Sequence, residues 1–147
     1  VLINGAGGAV GMFAVQIGKM FGAEVTAVDT TAKLDKIREA GADHVIDFTK
    51  QDFLDSGQTF DLILDVSGFL SVFDHRRALA PGGKCFCIGG SLGRILQTLI
   101  FGSILSKLSG KKMWFLALQT NKDLAFFGEA HAAGKVTPVI DKVFPLA

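Results

Sequence analysis

The stretch VLINGAGGAVGMFAVQIGKMFG, residues 1–22, decides how the rest of the chain is read. An apolar run, Val1-Leu2-Ile3, ends at Asn4 and meets Gly5-Ala6-Gly7-Gly8-Ala9-Val10-Gly11 at once. Helical periodicity then runs over 9–21, with Val10, Phe13, Ala14, Ile17 and Phe21 on one predicted face. Gly22 sits where a helix wants a residue free to turn left-handed. A strand that passes through glycines into a helix leaves backbone N–H groups open at the helix mouth. Those donors, with the positive end of the helix dipole, attract anions.

Outward from this unit the rhythm repeats. Strands are predicted at 1–4, 24–28, 44–47, 61–66, 84–88 and 112–118, and helices at 9–21, 32–40, 69–79, 92–107 and 123–133. Thr31 and Asn121 are the expected N-caps of the second and last helices. Gly41, Pro81-Gly82-Gly83 and Gly134 are the expected stops. Residues 49–57 read as a polar turn with one helical turn near 52–54, and 139–144 as a short extended tail. Leu62-Ile63-Leu64 is apolar without alternation, as in a strand buried on both faces. Strands alternating with helices give βαβ units, and right-handed crossovers wind them onto both faces of a parallel sheet. The expectation is α/β: a doubly wound six-stranded parallel sheet of order 3-2-1-4-5-6, a Rossmann fold, with 1–147 as one domain.

Composition narrows the partners. The chain has 147 residues, 49 % of them hydrophobic, and its 15 basic and 14 acidic side chains nearly cancel, so no nucleic-acid partner is expected. Cys85 and Cys87 alternate on one strand and face the same way, where two thiols are badly placed to bridge each other. His44, His75 and His131 are scattered, so the thiols are read as buried and structural, with no metal site. This usage suits a reducing, cytoplasmic setting. The apolar stretch 92–108 is broken by Arg94, Gln97, Ser103, Ser106 and Lys107, and it is shorter than the roughly twenty apolar residues of a span. No membrane partner is expected, and the stretch reads as a buried or partner-facing helix. Both ends of the chain look cut inside the pattern, so a fragment of a longer protein is expected.

The glycines carry the chemistry. Gly5, Gly8 and Gly11 stand three apart; in the G-x-G-x-x-G register the positions are Ala6, Gly8 and Gly11. On either reading a pyrophosphate approaches amides at the helix mouth. A side chain at Gly8 would block it, while Gly11 lets helix and sheet pack closely. Ala9 and Val10 supply first-turn amides. Asp29 ends the second strand, eighteen residues after Gly11, where a carboxylate can accept the hydroxyls of an adenosine ribose. It also reads as a plain strand-end acid or a helix cap. Its charge would repel a 2′-phosphate and favour NAD, whereas Thr30, Thr31 and Lys33 could hold such a phosphate and favour NADP. The sequence leaves NAD or NADP open, and Lys33 also reads as an exposed helix lysine. Asp65-Val66-Ser67-Gly68 and Ile88-Gly89-Gly90-Ser91 put small residues at two further strand ends. They leave room for a nicotinamide there, or are ordinary βα turns. No catalytic residue can be named: Asp65, His75 and His131 qualify by residue type alone. The chain has no tyrosine, so Tyr-x-x-x-Lys reductase chemistry is excluded. Two other classes share these features, a regulatory nucleotide-sensing module without catalysis and an S-adenosylmethionine-binding fold. The 9–11 register argues against the latter.

Taken together, the motif at 5–11, Glu24-Val25-Thr26-Ala27-Val28 and Gly41-Ala42-Asp43-His44-Val45-Ile46-Asp47 resemble the cofactor domain of medium-chain dehydrogenases/reductases. The segments 60–68, Pro81-Gly82-Gly83-Lys84 and 134–140 agree, and the zinc-independent quinone oxidoreductase-like branch fits best. The resemblance implies NADPH or NADH as cofactor, with the pyrophosphate at the 8–11 turn. Lys33 falls at a position that contacts the 2′-phosphate in NADP-using members, and Phe48 at an aromatic position beside the adenosine. Gly89, Gly90, Phe115 and Leu116 would border the nicotinamide. The sixth strand, with Met113-Trp114-Phe115-Leu116, would pair with its copy in a homodimer. Asp29 departs from NADP-preferring relatives, which carry a small or neutral residue there. The intact enzyme would move hydride between the cofactor and a carbonyl, quinone or activated alkene, a small-molecule substrate held mostly by a domain outside this chain. The isolated fragment is expected to be inactive.

Overall fold

In the computed structural model, residues 1–116, 122–140, 142, 143 and 145 are described. Six strands form one parallel sheet: β1 (Leu2–Asn4), β2 (Thr26–Asp29), β3 (His44–Asp47), β4 (Phe60–Asp65), β5 (Leu79–Cys87) and β6 (Lys112–Phe115). Their order is β3-β2-β1-β4-β5-β6, as the alternation of elements predicts. The helices are α1 (Ala9–Met20), α2 (Leu34–Glu39), α3 (Val72–Ala78), α4 (Leu92–Ser109) and α5 (Leu124–Ala132).

Alternation along β1 builds two cores from neighbouring residues. Leu2 joins Ile63, Val72, Leu79, Cys85 and Met113 on one face, while Ile3 joins Met12, Val15, Val25, Leu34 and Ile37 on the other. α1 and α2 therefore cover one face and α3 and α4 the opposite one, so β1 and its neighbours are buried on both sides.

Several local expectations are corrected. The core face of α1 is Gly11, Met12, Val15 and Gln16, not the predicted stripe of Val10, Phe13, Ala14, Ile17 and Phe21. Val10 and Phe21 are exposed, and Phe13 and Phe21 meet Phe127 and Phe126 of α5. Gln16 is tolerated inside because its side chain takes the N–H of Thr137 at 2.7 Å and donates to the Thr137 carbonyl at 3.0 Å. Thr31 does not cap α2. A 3-10 turn over Thr31–Lys33 precedes the helix, and the Thr31 hydroxyl donates to Asp47 instead. α3 begins at Val72, not 69, behind a reciprocal cap between Ser71 and Asp74. Pro81-Gly82-Gly83 does not separate helix from strand. β5 starts at Leu79, pairs Leu79 with Phe60 and Lys84 with Leu62, and bulges between them with Gly82 at φ +76°. The described part of the sixth strand ends at Phe115, and 117–118 lie outside the described residues, as do the expected cap Asn121 and positions 141 and 144 of the tail. α5 opens at Leu124 after Asp123, whose side chain makes no cap.

Two glycines hold α1 close to the sheet. Gly5 turns the chain with φ +84°, and a Cβ on Gly11 would lie 2.4 Å from the Gly5 carbonyl oxygen and 2.5 Å from Ala6 Cα. Backbone cannot move aside as a side chain tip can. Gly11→Ala is therefore expected to destabilise the chain by about 1–3 kcal/mol, read as a lower urea midpoint. An unchanged midpoint would show that α1 can retreat without cost.

Candidate functional site

The carboxyl ends of β1, β2 and β4 open into a crevice of about 780 Å³, at the point where the strand order reverses. Of the residues singled out in the sequence, Gly5, Gly8, Asp29, Thr30, Lys33, Phe48 and Ser67 line it. Val66, part of the 65–68 strand end read from the sequence, lines it as well, and Asn4, Val28, Gln51, Asp52, Phe53, Phe69 and Leu70 line it too and were not foreseen. Asn4 was legible as a polar residue ending an apolar strand, but Gln51 and Asp52 lie in a turn that carries no motif.

Ala9 and Val10 form the first turn of α1. Its N-cap is Gly8, which has no side chain to offer, and the turn holds no acid. The first turn of α1 thus carries no cap or acid of its own, and its amides face outward. A Cβ built on Gly8 would meet only the Gly5 carbonyl, at 3.8 Å, and Gly8 has φ −89°, which any residue adopts. Neither packing nor backbone conformation asks for glycine at this position. The bare face of Gly8 is open space on the crevice.

Asp29 shapes the loop as well as the crevice. Its Oδ2 accepts the Gly7 N–H at 2.7 Å and its Oδ1 the Thr30 N–H at 2.8 Å, with Lys33 Nζ 3.5 Å from Oδ1. It caps no helix, because neither the 3-10 turn at Thr31–Lys33 nor α2 receives a side-chain cap, and a carboxylate with about four acceptor positions has room for a ligand group besides these two amides. At the neighbouring strand end, Asp47 accepts from the hydroxyls of Thr31 and Thr49 and lies 3.4 Å from Lys50 Nζ. The Thr31 and Thr49 hydroxyls hold its carboxyl well below the usual carboxylate range.

The far wall hangs on Asp65, which is fully buried. Oδ1 accepts from the side chains of Asn4 (2.9 Å) and Ser67 (3.1 Å) and from the Gly68 N–H (2.9 Å). Oδ2 lies 2.9 Å from His75 Nε2. Burial disfavours the charged forms of both groups, but the contact with each other, aided by Gly68 and Asn4 at Asp65 and by Cys87 at His75, outweighs it. The Asp65 carboxyl is lowered and the His75 ring raised to about 9.

Nine residues foreseen at the cofactor do not line the crevice: Ala9, Val10, Gly11, Gly68, Ile88, Gly89, Gly90, Phe115 and Leu116. Gly68 and Gly89 touch, since a Cβ on Gly68 would sit 2.2 Å from the Gly89 carbonyl. Gly89 and Phe115 instead border a small space beside His75 and Cys87, and the Leu116 N–H binds the Cys87 carbonyl at 2.8 Å. His131 is on α5, bonded to the Val136 carbonyl at 3.0 Å. Cys85 and Cys87 are buried, as expected, but one of the three histidines lies close to them. His75 Nδ1 lies 3.9 Å from Cys87 Sγ, and Cys87 Sγ lies 4.0 Å from Cys85 Sγ.

With this geometry in hand, known proteins can be compared. The family model described as zinc-binding dehydrogenase matches residues 40–147. The chain is 31 % identical over 156 residues to a trans-enoyl reductase of Aspergillus terreus, covering 98 % of this chain and 44 % of that protein. It is 31 % identical over 166 residues to the human mitochondrial NAD(P)H oxidoreductase RTN4IP1, covering 100 % and 42 %. A crystal structure described as an NAD-dependent alcohol dehydrogenase superposes with a TM-score of 0.76 at 25 % identity, covering 94 % of this chain and 41 % of that one. The chain thus spans less than half the length of these relatives.

The zinc in the family description can be tested against the donors present. A catalytic zinc needs three protein ligands and an open position for water or substrate. Among the described residues, one group of three His, Cys, Asp or Glu side chains brings its donor atoms within 4.8 Å of one another: His75, Cys85 and Cys87. All three are buried, and the adjoining space does not admit a water molecule. This set does not fit a catalytic zinc.

The depressed Asp47 carboxyl makes a pH prediction. An acid whose folded value lies below its ordinary 3.8 stabilises the fold above that pH, and the contribution is lost as pH falls toward the lower folded value. Acid unfolding of Asp47→Asn is expected to have a shallower dependence on pH below about 4 than the parent chain. Superimposable acid limbs would remove Asp47 from the account.

Proposed function

Because the chain belongs to the medium-chain dehydrogenase/reductase superfamily, in its quinone oxidoreductase-like branch, we propose that it is the cofactor domain of an oxidoreductase and binds NAD or NADP in the β1/β2/β4 crevice. The observation that carries this reading is the bare, unstrained face of Gly8 on that crevice. At the mouth of α1, that bare face leaves room for a group to come close to the backbone.

In this reading the pyrophosphate rests against the 7–11 backbone. The uncapped first turn of α1, with Ala9 and Val10, offers amides and dipole to it. Asp29 uses its remaining acceptor positions for ribose hydroxyls, while Lys33, half exposed at the rim, faces the end where a 2′-phosphate would lie. Phe48 and Phe53 give apolar surface to the adenosine side. Asn4, Ser67 and Asp65 fix the opposite wall by hydrogen bonds among themselves, so Ser67 and Val66 meet the ligand as a set surface. The nicotinamide, when bound, supplies the hydride; the chain's own contribution is binding and orientation.

For the parent protein, the similarity to an enoyl reductase supports reduction of an alkene conjugated to a carbonyl. Residues 1–147 would be its cofactor half, the substrate being held largely by the rest of the protein. β6 pairs only with β5 among the described strands, and its Trp114 is partly exposed. That free edge is our candidate for a homodimer contact.

Calorimetric titration of the full chain with NADH, NADPH and S-adenosylmethionine tests the assignment. Binding of a nicotinamide nucleotide is expected. Gly8→Ala should weaken it at least about tenfold, roughly 1.4 kcal/mol, with the unfolding midpoint unchanged. Preference for S-adenosylmethionine, or full affinity in Gly8→Ala, would overturn the reading.

A further inference from the structure

α3 and β5 bring three soft or borderline donors together inside the domain, away from the crevice. Cys85 and Cys87 point to the same face of β5, and His75 comes down onto them from α3. The sulfurs are 4.0 Å apart, His75 Nδ1 is 3.9 Å from Cys87 Sγ, and no pair among the three donor atoms exceeds 4.8 Å. A planar three-coordinate ion with metal–sulfur bonds of about 2.3 Å sets its sulfurs about 4.0 Å apart and a nitrogen ligand about 3.8 Å from each. Two of the observed gaps match these values, and the third requires only a small closure.

The ring is already aimed. Asp65 Oδ2 is an acceptor 2.9 Å from Nε2, so the Nε2 proton points to Asp65 and Nδ1 turns to the sulfurs. A carboxylate behind a histidine in this way fixes the ring and makes its other nitrogen a better ligand. Asp65 is held in turn by Asn4, Ser67 and Gly68. Thr98 Oγ1 stands 4.0 Å from Cys87 Sγ, on the α4 side. The small space beside His75 and Cys87 is bordered in part by the bare backbone of Gly68 and Gly89.

We propose that His75, Cys85 and Cys87 form a buried binding site for a soft d10 cation, of which copper(I) is the fitting example. Two thiolates and one imidazole suit copper(I), which accepts three ligands. Zinc(II) wants a fourth, and among the described residues no free carboxylate is placed to supply it, nor does the adjoining space admit a water. On binding, each donor gives up the proton it carries to solvent, and no electron moves. The ion would staple α3 to the end of β5.

The site stands independently of the dinucleotide reading. The test is anaerobic titration of the reduced full chain with copper(I) against the chelator bicinchoninate, with X-ray absorption on the product. Expected are one tightly held copper per chain, two sulfurs and one nitrogen around it, and a higher melting temperature of the loaded chain. Cys85→Ala and Cys87→Ala should each lose that equivalent, and Gly8→Ala should keep it. Copper that the chelator removes completely, or a first shell without sulfur, would overturn the proposal. So would zinc(II) held four-coordinate and more tightly than copper(I). If either cysteine variant fails to fold, the ligand shell of the parent chain decides the matter.

Discussion

The carboxylate of Asp65 is the constraint on which both halves of the site depend. It is fully buried at the end of β4, and it meets four donors from three places: Asn4 on β1, Ser67 and Gly68 on the following loop, and His75 on α3. A buried charge without such partners costs several kcal/mol, so the carboxylate selects the one arrangement that satisfies both its oxygens. That arrangement fixes the wall of the crevice on one side and the orientation of the His75 ring on the other. Removing one donor does not merely subtract one hydrogen bond, because the remaining charge stays buried.

The glycines of the first turn divide by what demands them. Gly11 is required by the chain itself, since its missing side chain is the room taken by the Gly5 carbonyl and Ala6. Gly5 is required by its left-handed backbone. Gly8 is required by neither. Sequence alone cannot make this separation, because all three appear as the same letter at the same spacing. Only when a Cβ is placed on each does one glycine stand out as not demanded by the fold.

The strand order, the strand–glycine–helix unit and Asp29 at a strand end were legible because apolar runs and glycines report them directly. Other features were not, for identifiable reasons. The core face of α1 was misassigned because this helix is covered twice, by the sheet and by Phe126 and Phe127 of α5, and because Gln16 is buried against Thr137. A periodicity argument allows one apolar face and no buried glutamine. Thr31 looked like a cap because caps are local, whereas its hydroxyl serves Asp47 sixteen residues away. The start of β5 was hidden because a proline and two glycines normally end a pattern, and here they occupy a bulge at which register is lost and regained.

The meeting of His75 with Cys85 and Cys87 was beyond any spacing rule. The residues are ten and twelve positions apart and lie on a helix and a strand whose contact is a product of topology. Yet it follows from the right-handed crossover once the sheet is known. The helix after β4 must lie over β5, and its inward histidine then meets whichever β5 side chains face that layer. The same crossover presses the loop after β4 against the loop after β5, where Gly68 and Gly89 touch. The crevice wall and the thiol cluster are thus two sides of one junction. The Oδ1 of Asp65 holds Ser67 at the crevice, while Oδ2 holds the ring that faces Cys87. A rotation of His75 would pull on the carboxylate that positions Ser67, so the two regions are mechanically joined through a single planar group.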